Sequence, residues 1–152
     1  MLYENLLWEA AQHGVDIYEK PMTPGVKGLY GDSTIWINRS VPTVAEKTCI
    51  LAEELGHYHT STGHIIDLTD IRNLKQERRA RDWAYQRLVP LEKIIEAYRA
   101  GVSNRHELAE YLGVTEEFLQ AALKRYREKY GTYAMVDKHI VYFDPLAVAE
   151  MF

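Results

Sequence analysis

The sequence has little cysteine, no long apolar run and no excess of positive charge. Its single cysteine, Cys49, excludes a disulfide framework and a cysteine-only metal cluster, and is typical of a reducing compartment. No apolar run approaches the roughly 18 residues that a membrane-spanning helix needs. A net charge of -4 argues against a broad electrostatic surface for nucleic acid. We therefore expect a cytoplasmic protein with no membrane association and no nucleic acid as a direct ligand.

The composition that is present is that of a globular protein. A chain of 152 residues with 47% apolar residues is long enough to bury a core without disulfides. The first ten residues, MLYENLLWEA, lack the basic segment of a signal peptide. Helical and alternating patterns both occur along the chain, so we expect an α+β fold that is mainly helical with a short N-terminal sheet.

The N-terminal half contains a helix, a small sheet and a second helix. Residues 3–13 have helical spacing and stop at Gly14, and residues 15–22 favour a short strand. The segment GLYGDSTIWINRS is typical of a hairpin, with its turn predicted at Gly31-Asp32. Thr43 and Glu46 form a capping-box pattern at the start of a helix that we expect to run to about Thr60.

The C-terminal half is predicted to be helical until a final hairpin. A helix over residues 70–88 stops before Pro90, and the segment LEKIIEAYRAG predicts another. Two further helices, capped by Asn104 and Thr115, have the shape of a helix-turn-helix. A hairpin around Asp137-Lys138 follows. We divide the chain into residues 1–90 and an extension over 91–152, packed as one unit.

The helix-turn-helix-like segment permits two interpretations. One is DNA binding, and the other is a helical unit that completes the core or docks a protein partner. The second helix of the pair begins with Glu116 and Glu117, which phosphates would repel. We therefore favour the packing interpretation.

The strongest functional signal lies on the helix predicted over residues 43–60. At about 100° per residue, Glu53, Glu54 and His57 share one face. The opposite face is apolar and is expected to pack in the core; it carries Val44, Leu51, Ala52 and Leu55. A carboxylate and an imidazole at i and i+4 can reach one metal ion, and Glu54 could then polarise a bound water. The alternative is an ordinary surface Glu–His pair. Ile50 on the same face and the absent side chain at Gly56 favour a lined, closely packed cleft.

A third ligand is predicted on the next helix. On its wheel Glu77 shares a face with Leu74, Ala84 and Leu88, and burying an unpaired carboxylate there would be costly. Metal ligation by Glu77 would explain its position. An ion pair with Arg81, four residues later, would explain it as well, so both interpretations stay open.

Two motifs together resemble the ImmA/IrrE family of metallopeptidases found on phages and other bacterial mobile elements. They are EKTCILAEELGHYHTSTG and, further along, ERRARDWA, and the hairpin segment upstream is also similar, so the resemblance covers roughly residues 15–90. It implies a zincin-like fold with metal-dependent endopeptidase activity. It also implies that Glu53, His57 and Glu77 are metal ligands and that Glu54 is the general base. The strand around Ser33–Asn38 could pair with an extended substrate.

This sequence departs from the family pattern because Glu53 stands where the motif usually has His. A site with one imidazole and two carboxylates is richer in oxygen than the common catalytic zinc site. We expect one divalent metal, zinc first, with manganese or iron as alternatives. His59 is predicted to be buried or to support a ligand, and His64 could act as a ligand or hydrogen-bond donor from a loop.

The implied function is cleavage or inactivation of a regulatory, repressor-like protein of a mobile element. Two alternatives come from other classes of protein. One is a catalytically inactive relative that binds and sequesters a repressor, and the other is a DNA-binding regulatory module based on the C-terminal helices.

Overall fold

A computed structural model describes residues 1–60 and 71–151, with side chains omitted for 71–73. The chain forms two compact units, Met1–Ala84 and Tyr85–Phe152. Helices and small sheets occur in both described parts, so the predicted α+β class is confirmed. No helix within the described ranges has the length and apolarity to cross a membrane.

The first unit combines a three-stranded sheet with helices. Its elements are α1 (Leu2–Gln12), β1 (Asp16–Lys20), β2 (Gly28–Gly31), β3 (Thr34–Asn38), α2 (Val44–Thr60) and most of α3 (Ile71–Leu88). The strand order is β1-β3-β2, with β1 parallel and β2 antiparallel to β3. The predicted pairing of the strand around Ser33–Asn38 with a substrate is therefore wrong, because β3 already has a neighbour on both edges.

Local turn chemistry fixes the ends of the first elements. Gly14 has a φ of +73°, and the Val15 N–H donates to the Ala10 carbonyl at 2.9 Å, which closes α1 as predicted. The hairpin turn is centred on Asp32 and Ser33, whose φ values are 50° and 56°. The prediction of Gly31-Asp32 was therefore one residue early. Two left-handed residues give a turn whose twist matches that of the flanking strands.

The helix α2 is capped and oriented as its pattern indicates, with one exception. The Thr43 Oγ1 accepts a hydrogen bond from the Glu46 N–H at 3.1 Å. Leu51, Ala52 and Leu55 are buried, as predicted. Val44 is 63% exposed, so its assignment to the core was wrong. Val44 is the first residue of the helix. The apolar face continues to the helix end, but the core does not extend that far.

The second unit packs helices against a second sheet. After the end of α3 it contains α4 (Leu91–Arg99), α5 (Arg105–Leu112), α6 (Glu116–Tyr130), β4 (Tyr133–Val136), β5 (His139–Phe143) and β6 (Leu146–Glu150). The predicted caps are confirmed, since Asn104 accepts from the Glu107 N–H and Thr115 accepts from the Phe118 N–H. The predicted hairpin has a third strand, β6, which pairs with β5. The buried Tyr126 hydroxyl donates to the Val89 carbonyl at 2.8 Å and ties α6 to the end of α3.

Candidate metal centre

The site begins where α2 crosses α3. A Cβ atom on Gly56 would overlap the backbone carbonyl of Ala80, so only glycine allows the two helices this close approach. Both residues are buried, and Ala80 is fully so. The expectation that something packs closely at Gly56 is confirmed, and the neighbour is the backbone of α3.

The crossing places Glu77 of α3 beside His57 of α2. The His57 Nε2 lies 3.1 Å from the Glu77 Oε2, and the His57 ring is buried. The second oxygen, Glu77 Oε1, lies 3.4 Å from the Arg81 Nε. The predicted ion pair with Arg81 is therefore observed, and the same carboxylate faces His57. Metal ligation by Glu77 stays a prediction.

The two partners shift each other's protonation. The hydrogen bond to His57 lowers the pKa of Glu77; burial opposes this shift, and the charges of His57 and Arg81 reinforce it. Burial lowers the pKa of His57, but the hydrogen bond to Glu77 and the nearby carboxylates outweigh it, so the net pKa is raised. Without a metal, the pair therefore favours an ionised carboxylate next to a protonated imidazolium.

Two further carboxylates face the same centre from α2. Burial raises the pKa of Glu54 to about 7, and the charge of His57 opposes that shift. Burial also raises the pKa of Glu53, with Arg81 opposing the shift and Glu77 adding to it. Each carboxylate thus senses His57 and Glu77, and the site concentrates acidic groups where water solvates them poorly.

The strand β2 covers one side of this centre. A Cβ atom on Gly28 would come within 2.6 Å of the Ile50 Cγ2 and 3.5 Å of the Glu54 Cγ. Ile50 is 9% exposed, so it packs against β2 and does not face open solvent. Gly28 is a site residue that the sequence did not reveal, because no local pattern shows which helix a strand glycine will contact.

Two other predicted side chains lie elsewhere than expected, and a third falls outside the described residues. His59 is exposed and stacks on Trp83, so its predicted burial was wrong. It lies near the end of α2, where the helix face no longer meets the core. Leu74, predicted to share the buried face of α3, is 50% exposed, whereas Ala84 and Leu88 are buried. His64 lies outside the described residues.

The number, spacing and chemistry of these side chains show whether they fit a divalent metal. Within the described ranges 1–60 and 71–151, no three His, Cys, Asp or Glu side chains form a complete ligand group. The 3.1 Å between His57 Nε2 and Glu77 Oε2 is close to the separation of two ligands on one tetrahedral zinc, about 3.3 Å. Buried carboxylates next to an imidazole are also groups whose charge a cation would offset. The chemistry of the residues therefore fits a divalent cation.

Comparison with known protein families assigns the chain to a family. The family model Peptidase_M78, described as the IrrE N-terminal-like domain, matches residues 10–124, a stretch that includes both α2 and α3. The chain belongs to this family. Membership confirms the resemblance seen in the two motifs and indicates a function of the metallopeptidase type. No curated protein gives a significant match to this chain.

Proposed function

We propose that the protein is a metal-dependent endopeptidase whose divalent metal, zinc in the first instance, would be held by Glu53, His57 and Glu77. The observation that carries the proposal is the contact between His57 and Glu77 across the helix crossing, at 3.1 Å. It brings a ligand pair together from two helices, on the face of α2 that also carries Glu53 and Glu54. Family membership supports the reaction class.

The roles of the residues follow from their chemistry. When bound by these residues, a divalent cation would supply a water of lowered pKa and polarisation of the substrate carbonyl. The Glu54 carboxylate accepts the proton of the water that attacks the scissile carbonyl carbon, and it then donates this proton to the amine that leaves. Arg81, bonded to Glu77 Oε1, holds that carboxylate in the orientation in which Oε2 faces His57.

The sheet offers a place for an extended substrate next to Glu54. β3 is central, whereas the outer edge of β2 has no strand partner among the described residues. β2 also lies directly against Ile50 and Glu54. We infer that a substrate segment adds to β2 as a further strand, so that main-chain hydrogen bonds align its scissile bond with Glu54.

We propose a regulatory, repressor-like protein of a mobile element as the substrate. This part rests on the resemblance of the sequence motifs to the ImmA/IrrE family. A second candidate function is a catalytically inactive protein that binds and sequesters such a repressor. The Glu53 at the position where the motif usually has His favours it, because the site then departs from the common catalytic zinc set.

The decisive experiment compares Glu54→Gln with the wild type. Both proteins are loaded with zinc and incubated with a bacterial peptide library, and cleavage is quantified by mass spectrometry. We expect Glu54→Gln to keep its zinc and to lose about 100-fold or more of the cleavage rate, as for removal of a general base. Glu46→Gln, on the same helix but paired with Lys27, is the matched control and should cleave normally.

Two results would overturn the proposal. Cleavage by Glu54→Gln at the wild-type rate would remove Glu54 from the mechanism. A zinc-loaded wild type that cleaves no peptide would refute the endopeptidase and favour the sequestering protein.

A further inference from the structure

We propose that Trp83 is a positioning residue that sets Glu77 against His57 by stacking on His59. The inference rests on the proposed function, because it concerns the geometry of the proposed ligand pair. Trp83 lies on a different side of α3 from Glu77, and it would act only through the orientation of α3 relative to α2.

The stack is well defined. The rings of Trp83 and His59 lie 4.7 Å apart at an interplanar angle of 22°. His59 is itself braced from the edge by His13, at a centroid distance of 4.9 Å, and by Tyr58, at 5.0 Å. The indole of α3 therefore rests on a ring that the end of α1 and the end of α2 hold in place.

The stack and the ligand pair lie on different sides of the same crossing. Trp83 follows Glu77 by six residues and His59 follows His57 by two, which places them about 240° and 200° further around their helices. Viewed down each helix axis, Gly56 points between His57 and His59, and Ala80 points between Glu77 and Trp83. Gly56 and Ala80 also form the point of closest approach. If α3 changed its angle to α2 about the contact of Ala80 with Gly56, Glu77 and Trp83 would move together.

The contact between Gly56 and Ala80 does not by itself fix the angle between α2 and α3. Gly56 has no side chain and Ala80 has only a methyl group, so this contact fixes the separation of the helices more firmly than their angle. Interactions away from the pivot must set the angle. On the ligand side the contact is the hydrogen bond between His57 and Glu77, and on the other side it is the stack of Trp83 on His59.

The test measures zinc affinity and the state of the metal-free site separately from folding. Trp83→Ala, Trp83→Phe and Trp8→Ala are compared by competition with a chromophoric zinc chelator. Circular dichroism confirms that each variant is folded at the temperature used. Trp8 is the control because it is a 64% exposed aromatic residue on α1.

We expect Trp83→Ala to weaken zinc binding by about 10-fold, as for other residues that orient a metal ligand. Trp83→Phe, which can still stack, should recover most of the affinity, and Trp8→Ala should match the wild type. In the metal-free protein the imidazole NMR signals of His57 should shift in Trp83→Ala and return in Trp83→Phe.

The outcomes separate this inference from the proposed function. If His57→Ala abolishes zinc binding but Trp83→Ala binds zinc normally with unchanged His57 signals, Trp83 has no positioning role and the proposed metal site stands. If His57→Ala binds zinc as the wild type does, the proposed site itself is wrong. Should Trp83→Ala fail to fold, His59→Ala removes the same stack from an exposed position and must show the same loss.

Discussion

Gly56 is the residue on which the site depends most directly, although it carries no functional group. Its missing side chain allows the backbone of α3 to approach α2, and this approach brings Glu77 to His57. A methyl group at this position would meet backbone atoms of Ala80, which cannot move aside without shifting a helix. Both the stability of the first unit and the ligand pair should therefore respond to a single added carbon.

Gly56→Ala is expected to lower the free energy of unfolding by about 1–3 kcal/mol, the usual cost of overpacking a core. Gly28→Ala is the matched control, because its Cβ would overlap only a side-chain atom, the Ile50 Cγ2, with the nearest backbone atom, the Trp36 oxygen, at 3.3 Å, and should cost less. Urea denaturation followed by circular dichroism measures both variants. Equal stability of Gly56→Ala and the wild type, or a larger loss in Gly28→Ala, would contradict the account of the crossing.

At this scale the sequence shows which side chains share one helix face but not what they meet across the fold. Glu53, Glu54 and His57 could be predicted as a group because i, i+1 and i+4 positions are fixed by helix geometry. The stack of His59 on Trp83 could not, since it joins residues 24 positions apart through the crossing of two helices. A helical wheel places His59 on the core side because it gives only the direction of a side chain around the axis. It does not show where along the helix the core ends.

Among the elements, the link between β1 and α2 shows how charge holds the sheet to the helix. The Lys47 Nζ lies 2.9 Å from the Glu19 Oε1. The hydrogen bond to Lys47 lowers the pKa of Glu19, and partial burial opposes that shift. Because the folded-state pKa lies below the ordinary value of 4.5, this carboxylate stabilises the fold above pH 4.5 and loses its contribution as the pH falls below it.

We expect Lys47→Met to reduce stability at pH 7 by less than about 1 kcal/mol, because Glu19 is 38% exposed and solvent screens the pair. The difference from the wild type should shrink as the pH is lowered through 4.5 and below. Urea denaturation at pH 7 and pH 3 measures it. A difference that is the same at both pH values would show that Lys47 acts through packing instead of through Glu19.

The elements themselves were predicted unevenly, and the reasons are physical. Helix ends with a side-chain cap, such as those at Thr43, Asn104 and Thr115, could be predicted because the signal is local. β6 was missed because Leu146–Glu150 is a short run with small residues, and it becomes a strand only by pairing with β5. The central position of β3 likewise depends on β1, a distant segment in the sequence.

At the scale of the whole molecule, the distribution of charge along the sequence says more about the site than the net charge of -4. Residues 1–70 carry 4 basic and 10 acidic side chains, and residues 71–100 carry 8 and 4. Two of the acidic groups are Glu53 and Glu54, and the basic segment contains Arg81, which pairs with Glu77. Part of the formal negative charge of residues 1–70 thus belongs to the candidate site.

The family match extends over residues 10–124 and so includes parts of both compact units. The sequence motifs lie only in the first unit, whereas the matched region continues through α5 and into α6. The division at residue 90 and the packing of both parts as one unit remain predictions.

Zinc content shows most directly whether the α2–α3 crossing holds a metal. Wild type, His57→Ala and Glu46→Gln are dialysed against zinc and then against buffer, and the bound metal is measured by plasma mass spectrometry. We expect one zinc ion per chain in the wild type and in Glu46→Gln, and none in His57→Ala. Wild-type protein without bound zinc, or zinc retained in full by His57→Ala, would contradict this expectation.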